Sequence, residues 1–125
     1  MILVDSSVWV DHLRRGEPRL ERLLDQGLVL THPWVVGEIA LGTLRRRQEV
    51  LGLLRALPEA PVAEPAELLV LVEGERLMGR GIGYVGVQLL AAARLASSRL
   101  WTRDPRLAAA AEELGCALPE GAVEQ

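Results

Sequence analysis

Three carboxylates stand where an α/β enzyme would carry out its chemistry. Only four aspartates occur in the 125 residues, and two of them, Asp5 and Asp104, follow short apolar runs typical of buried strands. Open α/β sheets bind ligands at the carboxyl ends of their strands. Both residues are therefore candidate ligand-binding groups, although a turn residue and a helix N-cap are the more ordinary uses of aspartate.

Glu38 supplies the third carboxylate. Helical spacing places it near Trp34 and Val35, beside an apolar face and with no arginine one turn away. A carboxylate in such surroundings is costly unless a cation compensates its charge. Oxygen ligands of this kind suit Mg²⁺ or Mn²⁺, so we predict a divalent metal site formed by Asp5, Glu38 and Asp104.

These carboxylates need a scaffold of short strands that alternate with helices. Apolar runs predict strands at residues 2–4, 28–30, 62–63, 100–102 and 116–118. Apolar periodicity, proline in first turns and glycine at helix ends predict helices between them. Because parallel strands need crossover connections, the alternation predicts a three-layer α/β/α fold with a parallel sheet of about five strands.

Composition excludes several other classes of protein. Half of the residues are hydrophobic, and the net charge of −3 provides no global basic field, which predicts one packed domain over residues 1–125. No apolar run approaches a membrane span and no basic leader precedes the first strand, so we expect a soluble cytoplasmic protein. A single cysteine forms neither a disulfide framework nor a zinc site, and the absence of lysine excludes a Walker A loop.

Four short segments form an ordered pattern along the chain. They are residues 2–9 (ILVDSSVW), 36–42 (VGEIALG), 81–91 (GIGYVGVQLLA) and 100–107 (LWTRDPRL). Each is a weak signal alone, but the four in order cover nearly the whole chain and together resemble the PIN-domain nucleases, more narrowly the VapC-type toxins. The resemblance implies a PIN-like domain with strand order 3-2-1-4-5 and a ribonuclease that uses Mg²⁺ or Mn²⁺.

The resemblance also implies roles for individual residues and partners. By position, Asp5, Glu38 and Asp104 match the first, second and fourth acidic residues of such a site. Thr102 matches a hydroxyl-bearing residue beside the fourth acidic residue. A metal-activated water would attack an RNA phosphodiester, with structured RNA such as tRNA or rRNA as substrate. A cognate antitoxin protein that silences the site, and a homodimer, are the implied protein partners.

Position 86 departs from the family pattern. The third motif usually carries a metal-contacting aspartate where this chain has Gly86. We expect lower metal affinity and impaired cleavage, because the site has one negative charge and one oxygen ligand fewer. Glycine in a first helical turn also costs about 0.5–1 kcal/mol relative to alanine. An inactivating substitution and a naturally degenerate homologue are both compatible with the sequence.

Two other functions compete with a nuclease. A PIN-like module that binds RNA or protein without cutting is compatible with Gly86. Residues 81–86 also match the dinucleotide-binding pattern G-x-G-x-x-G. That pattern must follow a strand, whereas here it follows a predicted helix, so we interpret the match as chance.

Local surfaces could still mediate binding in this acidic chain. Arg45, Arg46 and Arg103 are candidate RNA contacts, although a run of arginines is usually a solvated helix face. The first four predicted helices also carry more apolar residues than one face of a small sheet can cover, which predicts an interface. These residues are Trp9, Leu13, Leu20, Leu23, Leu24, Val50, Leu53, Leu54 and Leu57.

Overall fold

The computed structural model describes residues 1–121, in which short strands alternate with helices. The elements are β1 (Ile2–Val4), α1 (Ser6–Arg15), α2 (Pro18–Asp25), β2 (Val29–Leu30), α3 (Pro33–Ala40), α4 (Arg47–Ala56), α5 (Pro65–Glu75), α6 (Tyr84–Leu95), β3 (Arg99–Trp101) and α7 (Pro105–Glu113). The α/β class predicted from the apolar runs is confirmed.

The sheet is parallel, with β1 at its centre and the order β2-β1-β3. Leu3 of β1 is in register with Leu30 of β2 and Leu100 of β3. The strands are almost entirely buried, as expected for a parallel sheet covered by helices on both faces. Because all three strands point the same way, their carboxyl ends meet at one edge, where Asp5 and Thr102 lie.

An isolated bridge lies on each side of the three strands, and within residues 1–121 neither predicted outer strand forms. Glu59 pairs with Thr31 beside β2, and Ala117 pairs with Leu100 beside β3. These pairings follow the order 3-2-1-4-5, but within residues 1–121 only three strands form, so the prediction of about five strands was wrong in number.

The strand predicted at residues 62–63 is replaced by pairing between backbone and side chain. The amide group of the buried Gln88 in α6 accepts a hydrogen bond from Ala63 N at 2.7 Å and donates one to Ala63 O at 3.1 Å. This amide satisfies both backbone groups of Ala63, as a neighbouring strand would otherwise do.

Four helices begin at the carboxyl edge of the sheet. Helices α1, α3 and α7 start there because each directly follows a strand. Helix α6 leads into β3 through a short turn, so it runs antiparallel to the strands and also begins at this edge. An ideal Cβ built on Gly86, in the first turn of α6, would lie 3.4 Å from Leu107 in the first turn of α7.

Most of the apolar helix positions belong to the core rather than to an interface. Trp9 and Leu54 are buried, whereas Leu13, Leu41 and Leu53 are exposed. The predicted surplus of apolar surface on the first four helices is therefore smaller than the sequence pattern suggests. None of the helices within residues 1–121 is long and apolar enough to cross a membrane.

Candidate active site

Asp5 follows β1 and is held in place by two hydroxyl groups. Its side chain is buried, with only 8% of the residue exposed. Oδ2 accepts hydrogen bonds from Ser7 Oγ at 2.7 Å and from Thr102 Oγ1 at 2.8 Å. Ser7 Oγ also accepts a hydrogen bond from Arg103 N at 3.0 Å, which fixes the chain after β3 against α1. Two donors on one oxygen orient this carboxylate at the edge of the sheet.

Thr102 connects Asp5 to Asp104. Asp104 N donates a hydrogen bond to Thr102 Oγ1 at 3.1 Å. Asp104 also caps α7, because its Oδ1 accepts hydrogen bonds from Arg106 N at 3.0 Å and from Leu107 N at 3.4 Å. A negative charge is favourable at a helix N-terminus. The cap and the candidate site therefore share one side chain, as the sequence allowed.

Glu38 reaches the same edge from α3. Its Oε1 accepts a hydrogen bond from Ser6 Oγ at 3.0 Å, and Ser6 directly follows Asp5. The prediction that Glu38 is desolvated was wrong, because its side chain is exposed. Helix α3 buries Val35 and Ile39 instead, and the adjacent Glu38 points away from that stripe. Its position next to Ser6, and not the cost of burial, links Glu38 to the site.

A groove of about 570 Å³ lies beside Glu38, between α1, α3 and the start of α4. Arg14 and Arg45 line it together with Glu38. Arg45 therefore lies near a candidate catalytic carboxylate, where a nearby phosphate could contact it. Arg46 is the next residue, and its exposed guanidinium is 4.0 Å from Glu49.

Arg103 is engaged with carboxylates, which corrects its assignment as an RNA contact. Its guanidinium donates to Asp11 at 2.7 Å, to Glu17 at 2.5 Å and to Glu120 at 2.9 Å. The hydrogen bond from Arg103 lowers the pKa of Asp11, and the three carboxylates raise the pKa of Arg103. The guanidinium also lies 5.5 Å from the centre of the Trp101 ring. Arg103 thus links α1 and the N-cap of α2 to the segment that follows α7.

Gly86 lies in the first turn of α6 and is half-buried. An ideal Cβ at this position would lie 2.9 Å from Ile82 Cγ2 and 3.4 Å from Leu107 Cδ1. A side chain at position 86 would thus project toward the first turn of α7, which Asp104 caps. The glycine segment 81–86 follows a turn after α5 rather than a strand, so the dinucleotide-binding interpretation lacks its structural context.

The carboxylate oxygens of the candidate site are the donor type that a hard divalent cation prefers. Asp5, Asp104 and Glu38 offer carboxylate oxygens at one edge, the chemistry that Mg²⁺ and Mn²⁺ prefer. Across residues 1–121, however, no three His, Cys, Asp or Glu side chains are grouped closely enough to surround an ion. The carboxylates are linked through Thr102 and Ser6 instead of converging on one point.

Ser6 and Ser7 belong to the candidate site, although sequence analysis placed them only within the first motif and gave them no role. In the structure Asp5 occupies the N-cap position, and both serines are helical residues whose hydroxyls bind carboxylates. Their position directly after the aspartate of the first motif was the available signal. Serine in a first helical turn next to an acidic residue can orient that residue as well as cap a helix.

His32 controls the start of α3, the helix that carries Glu38. The imidazole is fully buried, and its Nδ1 accepts a hydrogen bond from Trp34 N at 3.0 Å, which caps the helix. Burial lowers the pKa of His32 from its ordinary value of 6.5, and neighbouring Gln88 and Pro61 oppose that shift only in part. The uncharged imidazole is therefore the form that the fold requires.

We expect acid to destabilise the protein through His32. Below pH 6.5 the unfolded chain binds a proton at His32 that the folded chain does not bind. The contribution of His32 to the free energy of unfolding is therefore complete above this pH and is lost as the pH decreases toward the folded pKa. Thermal unfolding between pH 7.5 and about pH 5 measures the slope. His32→Asn keeps a capping acceptor without a titrating group and should flatten that slope. An unchanged slope in this variant would exclude His32 as the cause.

Comparison with known proteins assigns the family. The PIN domain model matches residues 2–113. Ribonuclease VapC32 from two strains of Mycobacterium tuberculosis, CDC 1551 / Oshkosh and ATCC 25618 / H37Rv, is 49% identical over 121 residues. The alignment covers 96% of this chain and 98% of each relative. The chain belongs to the PIN-domain family and, within it, to the VapC-type ribonucleases.

Proposed function

We propose that this chain is a metal-dependent endoribonuclease toxin of the VapC type, with cleavage impaired by Gly86. The observation that carries the proposal is the hydrogen-bonded chain from Asp5 through Thr102 to Asp104 at the carboxyl edge of the sheet. Glu38 joins this edge through Ser6. Membership of the VapC-type ribonucleases supports RNA cleavage as the reaction at this edge.

Each residue has a distinct role in this proposal. Asp5, Glu38 and Asp104 would hold Mg²⁺ or Mn²⁺, which when bound supplies a more acidic water and stabilises charge on the phosphate. Thr102 and Ser7 are positioning residues, since their hydroxyls fix one oxygen of Asp5. Burial of Asp5 against the sheet keeps that carboxylate in a single orientation, which reduces the reorganisation needed during the reaction.

Metal-dependent cleavage of RNA tests the proposal. We expect the chain to cut a structured RNA slowly with Mn²⁺ and not at all with EDTA, and Gly86→Asp to accelerate the reaction. If neither protein shows metal-dependent cleavage but both bind RNA, the second candidate function is correct. That function is a PIN-like module that binds without cutting, and Gly86 is the observation in its favour.

Arg45 and Arg46 are proposed phosphate contacts next to the groove beside Glu38. The double variant Arg45→Gln/Arg46→Gln should weaken RNA binding and reduce the slope of log affinity against log salt by about 1 for each phosphate that the protein no longer neutralises. Fluorescence anisotropy at several salt concentrations measures both. Arg55→Gln, at an exposed arginine near the other end of α4, is the control for the loss of one positive charge. An effect in the control that is as large for each charge removed would show that only net charge matters.

We propose that the protein acts in the cytoplasm as a homodimer and is silenced by a cognate antitoxin. The groove beside Glu38 suits an antitoxin helix, because it combines apolar walls with charged residues at its rim. Exposed Leu69 and Val70 of α5 and Leu95 of α6 supply apolar surface for the second copy. These residues lie outside the first four helices, where the sequence pattern placed the interface.

Light scattering tests the dimer. We expect a mass of twice 13.6 kDa for the parent and 13.6 kDa for Val70→Glu, because Val70 is 73% exposed and its replacement cannot disturb the core. A charge inside an apolar interface lacks a partner and opposes association. A parent that remains monomeric at high concentration would contradict the proposal.

A further inference from the structure

Two of the four Trp, Tyr and Phe residues lie outside the core, and the fold brings these two together. Trp9 and Trp101 are buried, whereas Tyr84 is 55% exposed and Trp34 is half-buried. The rings of Trp34 and Tyr84 are 5.6 Å apart between centroids and tilted by 43°. Fifty residues separate them in the sequence, so the pair is a product of the tertiary structure.

This aromatic pair, Trp34 and Tyr84, stands beside the candidate active site. Trp34 is in the first turn of α3, one turn before Glu38, and Tyr84 is the first residue of α6, two positions before Gly86. Both helices begin at the carboxyl edge of the sheet. The pair therefore bridges the two helices that carry the second and third acidic positions of the family pattern.

The aromatic pair packs against a buried ring, and a positive charge lies next to the loop that precedes Tyr84. The buried His32 ring contacts Trp34 edge-on, with 6.2 Å between centroids. Three residues before Tyr84, Gly81 adopts φ +76, and a Cβ there would be 2.7 Å from Arg106 Nη1. The Arg106 guanidinium thus lies against the loop that leads into Tyr84, where it could contact a phosphate next to a stacked base.

We propose that Trp34 and Tyr84 form a stacking surface for an unpaired nucleobase of the RNA substrate. This inference rests on the proposed nuclease function and identifies two side chains that would hold the RNA next to the candidate site. Unpaired bases stack on aromatic side chains, whereas bases inside a duplex are already stacked on each other. Tyr84 is 55% exposed as a residue and contributes little to the core, so a surface role accounts for it better than packing does.

Binding of single-stranded RNA in EDTA tests the inference without cleavage. We expect Tyr84→Ala to weaken the affinity of the full chain for a labelled RNA oligomer by about tenfold, within the range for removal of one stacked base. Tyr84→Phe keeps the ring and should bind like the parent. A duplex of the same sequence should bind more weakly to the parent and be insensitive to Tyr84→Ala.

Further variants separate stacking from other roles of the pair. Tyr84→Leu preserves apolar packing but has no flat ring, so it should lose as much affinity as Tyr84→Ala, and Trp34→Tyr should lose little. If Tyr84→Leu binds RNA like the parent, or if Tyr84→Ala changes only self-association, the stacking inference is wrong although the nuclease proposal survives. If the parent binds no RNA in EDTA and Gly86→Asp cuts none with Mn²⁺, both proposals fail.

Discussion

Gly86→Asp is expected to raise the rate of Mn²⁺-dependent RNA cleavage by about a hundredfold or more over the parent. The substitution adds a carboxylate in the first turn of α6, facing the first turn of α7 that Asp104 caps. Metal contacts contribute several kcal/mol to phosphoryl transfer, and about 1.4 kcal/mol corresponds to a tenfold change in rate. Initial rates on one structured RNA at matched Mn²⁺ concentrations measure the gain, which EDTA should abolish.

Packing around position 86 opposes any side chain there, and two control variants separate this steric effect from the effect of the new carboxylate. The new Cβ would lie 2.9 Å from Ile82 Cγ2, and a β-branched side chain can relieve this contact only by rotating as a whole. Gly86→Ala introduces the same Cβ without a carboxylate, and Gly86→Asn adds similar volume without the charge. Neither should activate cleavage. Activation by Asn equal to that by Asp would contradict a metal-binding role for position 86.

Activation should also be visible in cells. Expression of the Gly86→Asp protein is expected to arrest growth of a host that lacks the antitoxin, while the parent is tolerated. This outcome follows from the restored cleavage of cellular RNA, and growth curves after induction measure it. Equal growth of both strains at equal protein levels would disagree with the impairment assigned to Gly86.

Asp5→Asn in the Gly86→Asp background is expected to remove at least about 99% of the recovered activity, since it deletes the most buried carboxylate of the site. The amide oxygen can still accept hydrogen bonds from Ser7 and Thr102, so we expect the fold to survive. Initial rates and thermal unfolding of the same preparations separate activity from stability. Asp25→Asn, at the exposed end of α2, is the matched control. Full activity in Asp5→Asn would exclude Asp5 as a metal ligand.

The central sheet was predictable because its strands are short apolar runs that lead directly into polar residues. Residues 2–4 are followed by Asp5, and 100–102 leads to Asp104, so the edge that carries the site could be located from periodicity alone. The outer strands could not, since their pairing depends on a tertiary partner. At Ala63 that partner is the amide of Gln88, 25 residues away.

The sequence indicated the acidic residues of the candidate site but not their surroundings. Sequence spacing cannot show that Arg103 meets Asp11 and Glu17, which lie 92 and 86 residues earlier in the chain. Sequence spacing also predicted the wrong exposure for Glu38, because α3 ends at Ala40 and buries only a narrow stripe. Contacts between distant segments decide whether an arginine faces phosphate or carboxylate, and local pattern does not contain them.

Anomalous diffraction from Mn²⁺-soaked crystals of the Gly86→Asp protein would show whether the carboxyl edge of the sheet holds a metal ion. We expect a strong peak in ligand contact with Asp5 and with the carboxylate introduced at position 86, close to Glu38 and Asp104. Parent crystals soaked in the same way should show a weaker peak at the same place. A Mn²⁺ peak away from Asp5, or no peak at this edge of the sheet in either crystal, would contradict the proposed metal-dependent nuclease site.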